Sequence, residues 1–182
     1  MTIIKMNYRR AHIENSKIFI TIVTSKRRPI LIENVDLLRN SFKQVKEKIK
    51  FEIDAIVILP EHLHMIIQPE ENKTYPEIIK RIKVNFSKNI DINKIENYKE
   101  SESRKNKNEK DIWQRRYWEH TITDELDLYS CIDYIHYNPV KHGLVKQAKE
   151  WKYSTFDKYA KQGLYDENWC DFNEDISVKA YE

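Results

Sequence analysis

Long apolar runs are missing from this 182-residue sequence. No uninterrupted stretch approaches the roughly 18 residues that a membrane helix requires, so a membrane partner is not expected. Met1-Thr2-Ile3-Ile4-Lys5-Met6 lacks the apolar segment of a secretory signal. Cysteine is scarce as well: Cys131 and Cys170 stand without regular spacing or further partners, which argues against a disulfide scaffold and for a reducing compartment. No internal repeat occurs. These absences predict a soluble, cytoplasmic protein whose residues 1–182 form one domain, long enough to bury a core and short for two.

The net charge is only +3, but it is unevenly distributed. Residues 166–182 hold six acids against one lysine, a net of −5, which leaves +8 on residues 1–165. Basic runs stand out there: Arg9-Arg10 beside Tyr8, Lys26-Arg27-Arg28, Lys80-Arg81 with Lys83 and Lys88, and Arg115-Arg116. A phosphate backbone is a natural partner for such runs. In a chain that is 34% charged, lysine and arginine also serve simply to solvate a surface.

Hydrophobic periodicity orders the chain. Residues 17–24 (KIFITIVT) are β-branched and aromatic and predict a buried strand. After Asn34, an N-cap residue type, Val35, Leu38, Phe42, Val45 and Ile49 recur at spacings of three and four, the mark of an amphipathic helix. Residues 51–59 predict a second strand and residues 62–68 a third, separated by a turn at Pro60-Glu61. Thr74 opens a second helix, with Pro76 tolerated in its first turn, Tyr75, Ile78, Ile79, Ile82 and Phe86 inward, and a basic outer face. Residues 91–110 offer almost nothing to bury and predict a loop or partly disordered insertion. A fourth strand follows over 118–122, then a third helix capped by Thr123 and closed at Asn138-Pro139, since proline restricts the residue before it. Gly143 breaks the backbone, residues 151–159 predict a short aromatic helix, and an acidic tail occupies about 166–182. The order strand, helix, strand, strand, helix, strand predicts an α+β, ferredoxin-like (RRM-like) sandwich: an antiparallel four-stranded sheet with helices on one face plus C-terminal helices.

Two stretches carry chemistry. Alternate side chains of an extended chain point the same way, so His62 and His64 can offer two imidazoles to one metal ion. Tyr134 and Asn138, four residues apart on the third helix, share a face, whereas Tyr137 sits about 60° from Tyr134 viewed down the axis. Each signal alone is ordinary, because six histidines and eleven tyrosines compete for such roles. His136 and His142 read as phosphate contacts or, by preference, as plain helix-end residues near a negative dipole terminus, and His120 reads similarly. Trp113 and Trp118 read as core or sheet-edge anchors, Arg115 and Arg116 as a grip on DNA, and Tyr117 as a platform for an unpaired base.

Taken together, Leu59-Pro60-Glu61-His62-Leu63-His64, Ile112-Trp113-Gln114-Arg115-Arg116-Tyr117-Trp118-Glu119-His120 and Asp133-Tyr134-Ile135-His136-Tyr137-Asn138-Pro139-Val140-Lys141-His142-Gly143 resemble the single-tyrosine, HUH-type (IS200-like) transposases. Among these they resemble the REP-associated tyrosine transposase branch, over about residues 7–169. The resemblance implies Tyr134 as nucleophile, and His62, His64 and Asn138, the amide four residues after the tyrosine, as metal ligands. It implies cleavage and rejoining of single-stranded DNA beside a REP-like or transposon-end hairpin, through a 5′-phosphotyrosine that frees a 3′ hydroxyl, by a monomer or a homodimer. Imidazole and oxygen ligands with open positions accommodate Mg²⁺ or Mn²⁺. Tyr8, Arg9, Arg10, Lys80, Arg81, Lys83, Arg115, Arg116 and Lys141 are the expected DNA contacts. A free tyrosine has a pKa near 10, so its proton must be taken or its oxyanion stabilised, by the metal, Lys141, His136 or bound water. Two other classes stay open: a non-catalytic nucleic-acid-binding module of the same fold, and a water-using, metal-dependent phosphodiesterase. The N-terminal arm yields a direct test: replacing Arg9 and Arg10 with alanine should weaken DNA binding and flatten its salt dependence, and an unaltered salt slope would remove the arm from the interface.

Overall fold

Four runs of β-branched and aromatic residues build one sheet in the computed structural model, which describes residues 16–166 and Trp169. Tyr8, Arg9, Arg10 and most of the acidic tail lie outside the described residues. The strands are β1 (Ile18–Val23), β2 (Phe51–Ile58), β3 (His62–Pro69) and β4 (Trp118–Thr121). The helices are α1 (Val35–Lys46), α2 (Tyr75–Asn89), α3 (Glu102–Lys105), α4 (Glu125–Lys141) and α5 (Phe156–Lys161). The strands pair antiparallel in the order β2-β3-β1-β4, the arrangement expected of the ferredoxin-like sandwich.

The central strands β1 and β3 are buried at nearly every position, because helices cover both faces of the sheet. Ile18, Ile20, Ile22, Leu63, Met65 and Ile67 join the inward stripes of α1 and α2 in the larger core. The stripe of α2, Tyr75, Ile78, Ile79, Ile82 and Phe86, is entirely buried, as its three- and four-residue spacing predicts. On the opposite face Phe19, Ala55, Val57 and Ile66 pack with Cys131, Ile132, Tyr134 and Ile135 of α4. The strand register sets Val57, His64, Thr21 and Trp118 in one cross-strand row, with Ala55, Ile66, Phe19 and His120 in the next. Strand alternation therefore delivers His62 and His64 to the face that α4 covers.

Several local expectations are corrected. Helix α4 does not stop at Asn138-Pro139 but runs to Lys141 with Pro139 inside it. Burial of the Pro139 ring offsets the lost donor, and the His142 N–H closes on the Asn138 carbonyl at 3.0 Å. The break is Gly143, at φ +67, the left-handed conformation that favours glycine after a helix. The cap of α4 is Asp124 rather than Thr123: its carboxylate accepts the Asp127 N–H at 2.9 Å, while the Thr123 hydroxyl donates to Asp124 and Asp127. Asn34 and Thr74 do not cap with their side chains either, since each donates backwards, to the Ile30 and Glu71 carbonyls respectively. Of the aromatic stretch 151–159, only the part from Phe156 is helical. Upstream, Ser154 bridges Val57 of β2, and the Trp151 indole donates to the Ile58 carbonyl at 3.0 Å. Edge pairing wins there over helical spacing.

Residues 91–110 contain α3 and a buried Ile95. Arg104 ties this segment down, donating to the Trp113 carbonyl at 2.7 Å and pairing with Asp111 at 3.4 Å. No helix among the described residues is long and apolar enough to cross a membrane. With Asp124 as the cap, Asp124→Ala should lower unfolding free energy by about 1 kcal/mol, as read by urea denaturation; an equal or larger loss in Thr123→Ala would return the role to Thr123.

Candidate active site

The two imidazoles are held from behind. Oε1 of Glu61 lies 3.1 Å from Nδ1 of His62, and the Thr21 hydroxyl lies 2.8 Å from Nδ1 of His64. A carboxylate can only accept from a ring N–H, so Glu61 fixes the proton of neutral His62 on Nδ1 and leaves a lone pair on Nε2. Thr21 can do the same for His64. Nε2 of His62, Nε2 of His64 and Oδ1 of Asn138 are buried and have no hydrogen-bond partner among the described residues. Burying a polar atom unpaired costs on the order of 1–3 kcal/mol, and here three such atoms occur at the sequence-predicted ligand positions. Two imidazole nitrogens and an amide oxygen are a chemically competent donor set for a divalent cation.

Helix α4 brings the phenol to this pair. The Tyr134 ring is 5.2 Å from that of His64 and 5.9 Å from that of Phe19. Asn138, one turn on, turns its amide nitrogen toward the Tyr134 carbonyl at 3.4 Å, which leaves its oxygen as the atom without a partner. Lys141 lies on the same face: its ammonium sits 4.9 Å from the centre of the Tyr134 ring and donates to the phenolic oxygen at 3.4 Å. The His62 and His64 rings are 4.8 Å apart. His142, read from the sequence as a plain helix-end residue, stands 5.1 Å from His62. The signal that would have included it is the continuation of α4 past Pro139, which places residue 142 one turn beyond Asn138.

Burial holds both imidazoles neutral. It pushes His62 below the ordinary histidine value, against the opposing pull of Glu61. It pushes His64 well below, with His62 and Lys141 adding to the effect. His136 is a different case. It is buried within α4, not exposed at a helix end, with Nε2 2.9 Å from the Thr155 hydroxyl and Nδ1 3.3 Å from the Tyr165 hydroxyl. Its partners thus lie on the α5 side, and burial lowers its pKa to about 3. Tyr137 turns its ring toward Trp169.

His62 and His64 open onto a cleft of about 290 Å³ lined also by Thr21, Arg27, Arg116, Tyr117 and Trp118. The turn that carries Arg27 is strained: Lys26 and Arg27 stand at φ 57 and φ 50, a conformation costing about 1–2 kcal/mol per non-glycine residue. A second groove of about 630 Å³ lies between α2 and the 104–117 segment and shares Gln114 and Tyr117 with the first. Lys80, Lys83, Lys88 and Arg115 line it. Many of these cations are already engaged. Lys83 donates to the Gln114 and Arg115 carbonyls at 2.6 and 3.2 Å, and burial lowers its pKa to about 8. Arg81 bonds Glu77 at 2.8 Å, Lys80 lies 3.7 Å from the same carboxylate, and Arg115 pairs with Glu109 at 3.4 Å.

One further set of ligand atoms, from His120, Asp127 and Cys131, lies within 4.8 Å of one another. Its carboxylate is committed: Asp127 bonds Nε2 of His120 at 2.7 Å and accepts the Thr123 N–H at 3.0 Å. That group ties β4 to α4 through its own hydrogen bonds, whereas the His62, His64 and Asn138 atoms have no such bond among the described residues.

Residues 12–138 match the family described as IS200-like transposases. The chain belongs to that family, a class of DNA-cleaving enzymes. Within it the similarity is to the REP-associated tyrosine transposases. A Haemophilus influenzae protein named as a candidate member is 39% identical over 95% of this chain and 97% of its own length. The Escherichia coli REP-associated tyrosine transposase is 35% identical over 94% of each chain. A solved structure of a REP-associated tyrosine transposase bound to a REP hairpin superposes with a TM-score of 0.75 at 34% identity, covering 94% of each chain.

Neutral burial has a pH signature. Unfolded histidines take up a proton near pH 6.5, but His62, His64 and His136 resist it in the fold. The unfolded chain therefore binds more protons, and stability is fully present above about 6.5 and falls as pH drops toward the folded values, by up to about 1.4 kcal/mol per pH unit for each histidine. Denaturant unfolding in metal-free buffer should show this loss between pH 7 and 5, and His136→Gln should flatten it; a slope unchanged by that substitution would contradict the neutral burial of His136.

Proposed function

We propose that this protein cleaves and rejoins single-stranded DNA beside a hairpin, with Tyr134 as nucleophile and His62, His64 and Asn138 holding a divalent cation, Mg²⁺ or Mn²⁺. The observation that carries this reading is the coincidence of three buried, partnerless ligand atoms with a phenol ring 5.2 Å from one of the imidazoles. When bound, the cation would polarise the phosphodiester and offset the charge that develops on it. The remaining work belongs to side chains. The Tyr134 oxygen bonds to phosphorus as the P–O3′ bond breaks. The phenolic proton leaves to solvent, and the departing 3′ oxygen takes one up. The resulting 5′-phosphotyrosine conserves the energy of the broken bond, so a later 3′ hydroxyl can reverse the exchange and reseal a strand.

Lys141, donating to the phenolic oxygen at 3.4 Å, stabilises the phenolate form; His136, bonded toward α5, does not share this task. Glu61 and Thr21 keep the imidazoles in the tautomer that presents Nε2. Arg116 and Tyr117, at the mouth of the cleft, supply a phosphate contact and a stacking surface suited to unpaired nucleotides. Lys80 and Arg115 act as phosphate contacts along the second groove, Arg81 acts as a further phosphate contact on α2, and Lys83 acts by fixing the 114–115 backbone to α2. The hairpin partner is supported by the related transposase solved on a REP hairpin. Packing of α4 on the sheet of its own chain supports assembly of the site within one monomer.

A labelled single-stranded hairpin incubated with Mn²⁺ or Mg²⁺ should yield a denaturation-resistant protein–DNA species that Tyr134→Phe abolishes and His64→Ala strongly reduces. Cleavage that survives Tyr134→Phe without an adduct would mean a water-using phosphodiesterase. Tight binding with neither adduct nor cleavage would mean a non-catalytic module.

A further inference from the structure

We infer that Arg27 is a further catalytic residue, its guanidinium gripping the non-bridging oxygens of the scissile phosphate as Tyr134 attacks; the inference rests on the reading of the site given above. Arg27 lines the same cleft as His62 and His64. It stands on a three-residue turn, Ser25–Arg27, in which both Lys26 and Arg27 take left-handed backbone conformations. Two consecutive non-glycine residues there are strained, and strain of this kind persists only where surrounding bonds over-determine it.

Those bonds are present on both sides of the turn. The Thr24 hydroxyl lies 2.8 Å from the Arg28 carbonyl and 2.9 Å from the Glu61 carbonyl, and the Thr24 N–H donates to the latter at 2.9 Å. The Ser25 N–H donates to the Ile112 carbonyl at 2.7 Å. Arg28 turns inward and donates to the Asp111 carbonyl at 2.7 Å. The turn is thereby locked to the residue that precedes His62, and Arg27 is the turn residue that faces the cleft. Its contact with Glu61 is loose, at 3.7 Å, with the side chain 54% exposed. Its forked donors therefore remain open to a phosphate, which a guanidinium can meet with two parallel bonds. Negative charge on the equatorial oxygens is what phosphoryl transfer must stabilise.

Single-turnover cleavage of saturating hairpin DNA in Mn²⁺ tests this with wild type, Arg27→Gly and Arg27→Lys, alongside DNA affinity and the thermal midpoint. Glycine adopts the left-handed conformation freely, so Arg27→Gly should melt no lower than wild type. It should bind DNA within about threefold and cleave about 100-fold more slowly, with partial recovery in Arg27→Lys. Cleavage by Arg27→Gly within about threefold of wild type, or a loss matched by weaker DNA binding or a lower midpoint, would overturn the catalytic role. Failure of the wild-type chain to form an adduct would instead overturn the reading on which it rests.

Discussion

The arrangement depends on two imidazoles being buried neutral with one nitrogen each left uncommitted. Sequestering such atoms without partners is unfavourable, and no bond among the described residues relieves it. What it does supply is support on the opposite ring nitrogens, from Glu61 and Thr21, and a helix over the top. The position of α4 follows from the sheet: Phe19, Ala55, Val57 and Ile66 form an apolar bed for Ile132 and Ile135, and seating those residues brings Tyr134 against His64.

The site is built from rigid parts. The histidines lie on a central strand, the phenol and amide lie one turn apart on a helix, and the ammonium of Lys141 lies on the next turn. A second polar layer behind α4 keeps it in place: the Tyr165 hydroxyl donates to Asp133 at 2.5 Å, and His136 spans from Tyr165 to Thr155. Burial raises the pKa of both Asp133 and Tyr165, so this layer is most stable with its tyrosine protonated. Cationic groups at the cleft mouth belong to less regular segments, the Ser25–Arg27 turn and the 114–117 stretch.

Much of this was readable from periodicity and a few words of sequence. The strands, the stripes of α1 and α2 and the strand order follow from residues whose burial is dictated by spacing. His62 and His64 on one face follow from strand alternation, and Tyr134 with Asn138 on one face follows from the helical repeat. The misreadings have a common cause: tertiary contacts outweighed local rules. Pro139 is a poor helix residue in isolation, yet burial carries α4 through it. Thr123 and Asp124 are both capping types, and the choice was made by the reach of Asp124 to the Asp127 N–H. Residues 151–154 were captured by the edge of β2. The basic outer face of α2 showed in the sequence as a run of charge, but the sequence did not reveal that Glu77 and the 114–115 carbonyls engage several of its members. The nearness of His142 and Arg27 to His62 was not legible, because neither lies in a spacing pattern with the histidine pair.

The divalent cation is expected among His62, His64 and Asn138. Anomalous diffraction from crystals of the protein grown with Mn²⁺ tests it most directly. A peak should appear at bonding distance from Nε2 of His62, Nε2 of His64 and Oδ1 of Asn138. A peak at His120, Asp127 and Cys131 instead, or none near the paired histidines at saturating Mn²⁺, would contradict it.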